Sequence, residues 1–260
     1  MDLKIIQEIS DRLYHAKKDC IPIEPISSEY PEISFNDAYK IQFLNLEREI
    51  SLGYKVIGKK IGLTSKAMQS MFGVYEPDYG VILNNMVFND GDNLKIDQFI
   101  QPKVEAEIAF VFKDELVGPG ITPVKVLQTT DFIFPILELI DSRIKDWKIK
   151  IFDTIADNAS AAGVVIGGIK RKIDFLDPKY LPLIFKKNGQ IYDSGVGANV
   201  MGNPVYSITW LANKLAEYGS SIKAGEIVLS GAITKAISVN RNDWITGDFG
   251  DFSEISIGFY

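Results

Sequence analysis

Three acidic side chains stand inside the most apolar stretches of this 260-residue chain, and nothing else in it restricts the fold and its chemistry so tightly. Glu105 and Glu107 lie in KVEAEIAFVF (103–112), where Val104, Ala106, Ile108, Phe110 and Phe112 alternate as one apolar face of a strand. The other face carries the two glutamates and continues with Ala109 and Val111, so it is not an ordinary wetted face. Two residues along a strand span roughly 6.8 Å, and flexible glutamates converge on one ion from that separation. Glu138 interrupts FIFPILELI (132–140), otherwise entirely apolar. A buried carboxylate must be paired, protonated or bound to metal, and oxygen-only ligands suit a hard cation such as Mg2+ or Mn2+. The plainer alternatives are a solvated edge strand for the first two and an ion pair of Glu138 with Arg143 or Lys145.

Composition removes other chemistries. One cysteine, Cys20, and one histidine, His15, are too few for zinc sites built on those ligands, and a catalytic triad would have to recruit His15 from a charged N-terminal segment. The net charge of -6, with no basic cluster, lacks the footprint of a nucleic-acid binder. No apolar run approaches a membrane span, and the charged N-terminus does not read as a signal peptide, so the expectation is a cytoplasmic protein.

The chain divides by texture. Residues 1–19 read as an amphipathic helix through Leu3, Ile6, Ile9 and Leu13, and 21–32 as an extended, proline-bearing connector. Ser34 and Asp37 resemble a capping box opening a helix to about Ser51, with Tyr39, Phe43, Leu46 and Ile50 inward. From Tyr54, glycine-punctuated β segments dominate, interrupted by helical patterns at about 123–129, 143–156 and 204–218, with KNGQ (187–190) as a hairpin turn. The expected architecture is α+β and mostly β: an N-terminal helical segment, 1–53, and a β-rich domain of packed or rolled sheets, 54–260.

Further candidates are weaker alone. Lys60 in VIGKKIGLTS (56–65) shares a strand face with Gly58 and Gly62, which clears volume around its ammonium; a plain surface lysine is the alternative. Asp78 in EPDYG (76–80) fits simple turn chemistry. The loops DNAS (157–160) and LSGA (229–232) place Ser160, Ser230 and Gly231 where an anion could be met.

Taken together, GKKIGLTSKAMQSMFGVYEPDYG (58–80), QPKVEAEIAFVF (101–112), ELIDSRIKDWKIKIFDTIADNAS (138–160), MGNPVYSITWLANKLAEYG (201–219) and KAGEIVLSGA (223–232) resemble the fumarylacetoacetate hydrolase superfamily. The likeness is to its branch of 2-keto-4-pentenoate (2-hydroxypentadienoate) hydratases and 4-oxalocrotonate decarboxylases. It implies a rolled β-sandwich with an N-terminal helical part, metal ligands at Glu105, Glu107 and Glu138, an active-site lysine and aspartate at Lys60 and Asp78, and homodimers or assemblies of dimers. The implied reaction is hydration of 2-hydroxypenta-2,4-dienoate in aromatic meta-cleavage catabolism, with 4-oxalocrotonate decarboxylation as the nearest alternative. Lys60-Ile61-Gly62 looks more like the hydratases, whereas DNASAAG (157–163) departs from the DNASCG common among them. An acylpyruvate-type hydrolase would use a lid His/Glu pair, and His15 fits no such motif. A non-catalytic partner subunit would be expected to have lost ligands, and all five residues are present; association with a pathway decarboxylase remains compatible with the branch.

Overall fold

The computed structural model describes residues 1–260, apart from the side chains of Met71, Phe72 and Phe175. Asp2 caps the first helix, α1 (Leu3–Asp19), by accepting from the Lys4 amide, and Ile6, Ile9 and Leu13 are buried along one stripe. The connector 21–32 is not wholly extended. Ile26–Glu29 forms one helical turn, α2, because the amide and hydroxyl of Ser27 both bond the buried Asp153 carboxylate, at 2.9 and 2.6 Å. Ser34 and Asp37 form the expected capping box at the start of α3 (Phe35–Ser51). Tyr39 is fully buried there, Phe43 and Leu46 are half-buried, and Ile50 is exposed, a correction to the inward set.

The β-rich part opens with β1 (Val56–Gly62), short helix α4 (Lys66–Phe72) and β2 (Asp78–Leu83), followed by the small strands β3 (Val87–Asn89) and β4 (Asn93–Leu94). Asp78 therefore begins a strand, where its composition had suggested only a turn. The long strands β5 (Lys103–Phe112) and β6 (Thr130–Ile140) are joined through α5 (Pro123–Thr129). The stretch 143–156 is not one helix: Ile144 pairs with Ile23 as an extended bridge, and Asp146 and Trp147 take positive φ, so only α6 (Ile151–Ala156) is α-helical. There follow β7 (Ala161–Ile166), the hairpin β8 (Pro182–Lys187) and β9 (Gln190–Val196), α7 (Pro204–Ala216), β10 (Ile227–Leu229), β11 (Ile237–Ser238), β12 (Trp244–Asp248) and β13 (Glu254–Phe259). The hairpin turns on Asn188 and Gly189, both at positive φ.

Two sheets result. The larger runs β2-β1-β10-β5-β6-β7-β3, with β11 also paired to β5; the smaller runs β4-β13-β12-β8-β9. Most pairings are antiparallel, but β1 and β10 run parallel, so a strand from the C-terminal part is laid between β1 and β5. Val104, Ala106, Leu137 and Leu139 of the large sheet share one core with Phe185, Ile245, Ile255 and Ile257 of the small one, and Ile6, Ile9 and Tyr39 of the N-terminal helices join it. At ~1.5–3 kcal/mol for each fully buried large aliphatic or aromatic side chain, this continuous core is the main stabilising element. The opposite face of the large sheet carries the carboxylates and, beyond them, a second apolar cluster including Ala109, Val111, Phe134, Ile136 and Leu229.

Candidate active site

Strand register brings the three glutamates together. Glu105 and Glu138 are direct partners across β5 and β6, and Glu107 lies one pleat further along the same face. One carboxylate oxygen from each falls within 4.8 Å of the others. Glu107 and Glu138 are wholly buried and Glu105 is half-buried, so the cluster opens to one side. The Gly231 amide, just past β10, donates to Glu107 Oε2 at 2.6 Å, while Glu107 Oε1 and both oxygens of Glu138 have no hydrogen-bond partner. Gly231 thus uses its amide on a glutamate. Ser230 beside it is buried with an unpartnered hydroxyl.

Lys60 comes from β1 and is 3% exposed, which removes the surface-lysine alternative. Its Nζ lies 3.3 Å from Glu138 Oε1, a charge contact without hydrogen-bond alignment, and donates to the Ala159 carbonyl at 3.1 Å. Glu138 accordingly pairs with neither Arg143 nor Lys145: Arg143 binds Asp157 and Lys145 binds Glu24. Asp78 sits across β1 and β2 from Gly62 in the register, and a Cβ on Gly62 would overlap its Oδ1. Gly62 is needed for that approach. Gly58 has a separate role, since a Cβ there would strike the Ile227 carbonyl of β10. Asp78 Oδ2 accepts from the Thr154 hydroxyl of α6 at 3.1 Å, and Oδ1 is buried without a partner.

The electrostatics are unbalanced. Burial raises the protonation range of all three glutamates against the pull of Lys60, carrying Glu138 to about 7 and Glu107 well above its ordinary value. Burial raises Asp78 as well, with Lys60 and Thr154 opposing it. For Lys60, burial alone would favour the neutral amine, but Glu138, Glu105, Asp78 and Glu107 outweigh it and raise its pKa. Four carboxylates share the Lys60 ammonium, and Lys103 adds its pull to Glu105. Unpartnered, hard oxygen donors with surplus negative charge are the donor set a divalent cation of the Mg2+ or Mn2+ type takes, so these residues fit such an ion.

The turn after α6 completes the site. Asn158, Ala159 and Ser160 all have positive φ, 54°, 49° and 56°, each strained for a residue with a Cβ. Arg143 holds the turn in place: its guanidinium bonds the Asp157 side chain and carbonyl and donates to the Ala161 carbonyl at 3.1 Å. Ser160 is buried, with its hydroxyl donating to Asp157 Oδ2 at 3.3 Å. Asn158 pairs with β2 as a strand would, Oδ1 accepting from the Val81 amide at 2.8 Å and Nδ2 donating to its carbonyl at 2.9 Å. Thr154, Asn158 and the Arg143–Asp157 pair escaped the sequence reading of individual residues, although the last three lie within or beside its DNAS and ELIDSR segments. The lone histidine, His15, is exposed on α1, where it lies against Asp19 and the ring of Tyr14.

Over 257 residues, covering 96% of both chains, the protein is 42% identical to the 2-oxo-hept-4-ene-1,7-dioate hydratase of Escherichia coli. It is 44% identical over 220 residues to the 2-hydroxypent-2,4-dienoate hydratase of Pseudomonas putida, covering 84% of this chain and 99% of that one. The chain belongs to the 2-keto-4-pentenoate hydratase and 4-oxalocrotonate decarboxylase family. No family model matches it. Among solved structures of the same hydratase and decarboxylase family, 4-oxalocrotonate decarboxylase from Pseudomonas putida G7, complexed with magnesium and adipate, superposes with a TM-score of 0.98 at 33% identity, covering 100% of this chain and 99% of that one. A fumarylacetoacetate hydrolase from Exiguobacterium antarcticum, at 14% identity and a TM-score of 0.62 over 78% of this chain and 74% of its own, shares the fold. The α+β fold is therefore the fumarylacetoacetate hydrolase type anticipated from sequence.

Proposed function

We propose that the protein is a metal-dependent hydratase that adds water to 2-hydroxypenta-2,4-dienoate, giving 4-hydroxy-2-oxopentanoate. The observation that carries this reading is the gathering of three carboxylates, two of them wholly buried, with Lys60 and Asp78 in a chain 44% identical to a 2-hydroxypent-2,4-dienoate hydratase. Glu105, Glu107 and Glu138 would hold the divalent cation. When bound, that ion supplies Lewis-acid polarisation of the substrate's carboxylate and C2 oxygen.

The chain's own residues carry the protons. Asp78 presents Oδ1 without a partner while Thr154 fixes Oδ2, so one oxygen is free to take the proton of the C2 hydroxyl. Returning a proton to C5 leaves an enone, to which water adds at C4 with a proton delivered to C3. Lys60 favours the ionised form of Asp78 against the effect of burial and offsets the negative charge of the incoming acid. Ser160, Ser230 and Gly231 would serve substrate binding in different ways: the buried Ser230 hydroxyl has no partner and would be offered to the substrate, while Ser160 and Gly231 would act through Asp157 and Glu107.

Decarboxylation of 4-oxalocrotonate is the second reading, favoured by the TM-score of 0.98 to a decarboxylase over the entire chain. The enzyme would act in the cytoplasm, in aromatic meta-cleavage catabolism, as a homodimer or assembly of dimers able to associate with a pathway decarboxylase. Partly buried Tyr54, Phe132, Ile166 and Ile227, packed on the second apolar cluster, support self-association. The division at 53/54 into helical and catalytic parts belongs to the same proposal.

The deciding experiment offers chelator-stripped enzyme, with Mg2+ or Mn2+ restored, each substrate separately. Metal-dependent loss of the dienoate without CO2 establishes the hydratase; CO2 from 4-oxalocrotonate makes it the decarboxylase. Silence on both removes the reading.

A further inference from the structure

A helix of the N-terminal segment reaches into the site. Gln42, on α3, is 1% exposed, and its Nε2 donates to two backbone carbonyls, those of Tyr79 at 3.0 Å and Ile155 at 3.1 Å. Both partners are acceptors, so the orientation of the carboxamide is fixed by chemistry. Tyr79 follows Asp78 on β2, and Ile155 follows Thr154 on α6, the residue whose hydroxyl holds Asp78 Oδ2. One amide group therefore ties the backbone of the carboxylate to the backbone of its hydrogen-bond donor. On the other side, Asn158 grips Val81 through both its backbone groups, and a Cβ on Gly80 would strike the Asn158 carbonyl. The segment 79–81 is clasped from two directions.

We infer that Gln42 is a positioning residue, which sets the distance between Asp78 and Thr154 and so aims the free oxygen of Asp78 at the substrate. The role rests on the proposed proton transfer by Asp78. The hydrogen bonds of Gln42 go to backbone carbonyls and to neither the glutamates nor Lys60, so the metal and the charge balance do not run through it. A carboxamide with both donors used on backbone carbonyls is also unusual for a helix that could pack on apolar contacts alone; its Oε1 remains buried without a partner, a cost that packing does not require.

The test compares Gln42→Met, which keeps volume and removes both donors, with Asn45→Ala, which cuts α3 contacts to Ser10 and Arg48 without reaching β2. With Mg2+-loaded enzyme and 2-hydroxypenta-2,4-dienoate or, if that is the substrate turned over, 4-oxalocrotonate, Gln42→Met lowers kcat by about 100-fold, the scale of a misplaced catalytic group. KM and magnesium affinity stay unchanged, and Asn45→Ala keeps its kcat. Combining Gln42→Met with Thr154→Val loses no more than the worse single variant, because both act through Asp78. Unchanged kcat in Gln42→Met, or losses that multiply in the double variant, overturns the role. Should Gln42→Met fail to fold, Gln42→Asn carries the same comparison, its carboxamide withdrawn by one methylene. Amide exchange across 78–83 gives a reading without turnover: it accelerates in Gln42→Met while β5 and β6 stay protected, and unaltered exchange there overturns the tether. A wild type silent on both substrates defeats the functional reading instead, and leaves that exchange result to decide the tether.

Discussion

Residue scale. A buried carboxylate cluster is a cost to the fold unless something offsets it, and the glutamates here divide that cost unequally. Glu107, pushed up by burial and then by Glu138 and Glu105, carries the largest conflict. Glu107→Gln should therefore act with opposite signs in two states. Metal affinity, read by titration calorimetry with Mg2+ or Mn2+, should fall by more than the roughly 10- to 100-fold typical of outer-shell changes. The melting temperature of the metal-free protein should rise, since folding no longer has to bury or protonate this carboxylate beside Glu138 and Glu105. A drop in both would sink the assignment of Glu107 as a ligand that the empty protein pays to keep. Lys60→Ala and Asp78→Asn should retain metal and lose about 10²- to 10⁴-fold in turnover, the range of general acid–base catalysis. Either variant at wild-type rate leaves the mechanism without that residue.

Element scale. The strained turn Asn158–Ser160 persists because Arg143 supplies the bonds that over-determine it. Asp157 beneath it is lifted by burial to about 6 despite Arg143. An acid raised in the folded state is most favourable to stability below its unfolded pKa, and that contribution is lost as pH rises through the folded value. Arg143→Met should cost about 3–5 kcal/mol at neutral pH, the penalty of an unpaired buried charge. The deficit should narrow in urea titrations as pH falls toward 5, where Asp157 can take a proton; a pH-independent deficit would assign the loss to packing. The capping box of α3 responds in the other direction. Burial alone would raise Asp37, but the Ser34 hydroxyl, the N-terminal ammonium of Met1 and the Ser34 amide together outweigh it and hold the pKa below its ordinary value. Its contribution is present above the unfolded carboxylate range and lost below it. Asp37→Ala should cost ~1 kcal/mol at pH 7 and less at pH 3.

How much of this was legible depends on the range of the interaction. Period-2 alternation displayed the glutamate face of β5, Asn188-Gly189 displayed the hairpin, and Ser34-Asp37 displayed a helix start, because each signal lies within a few residues. Failures occurred where distant partners decide. The turn Ile26–Glu29 forms on Asp153, and the helix expected from 143 is deferred to Ile151 by pairing with Ile23. Gln42 was invisible for the same reason: a glutamine on an amphipathic helix declares nothing about carbonyls 37 and 113 residues away. The reading of Asp78 as turn chemistry shows the converse, a local signal overruled by strand pairing with Gly62.

Whole-molecule scale. The site draws on β1, β2, β5, β6, the turn after α6 and the loop after β10, so occupancy of the cluster and stability of the fold are linked. Adding Mg2+ at 100 times its dissociation constant should stabilise by about 2.7 kcal/mol, lost again on chelation. Differential scanning fluorimetry with and without EDTA reads this as a shift of several degrees; an unchanged melting temperature would mean the glutamates bind no Mg2+.

The place of β10 has a consequence for synthesis. Residues 227–229 run parallel to β1 and antiparallel to β5, between strands made far earlier, and the next turn brings the Gly231 amide to Glu107. A ribosome delivering the chain from its N-terminus exposes the carboxylates of β5 and β6 long before the strand that completes their sheet. Until then the gap between β1 and β5 is an open edge. The nascent protein must wait, unfinished at its centre, for one of its last segments, and an interrupted product lacking that segment has no means of assembling the site.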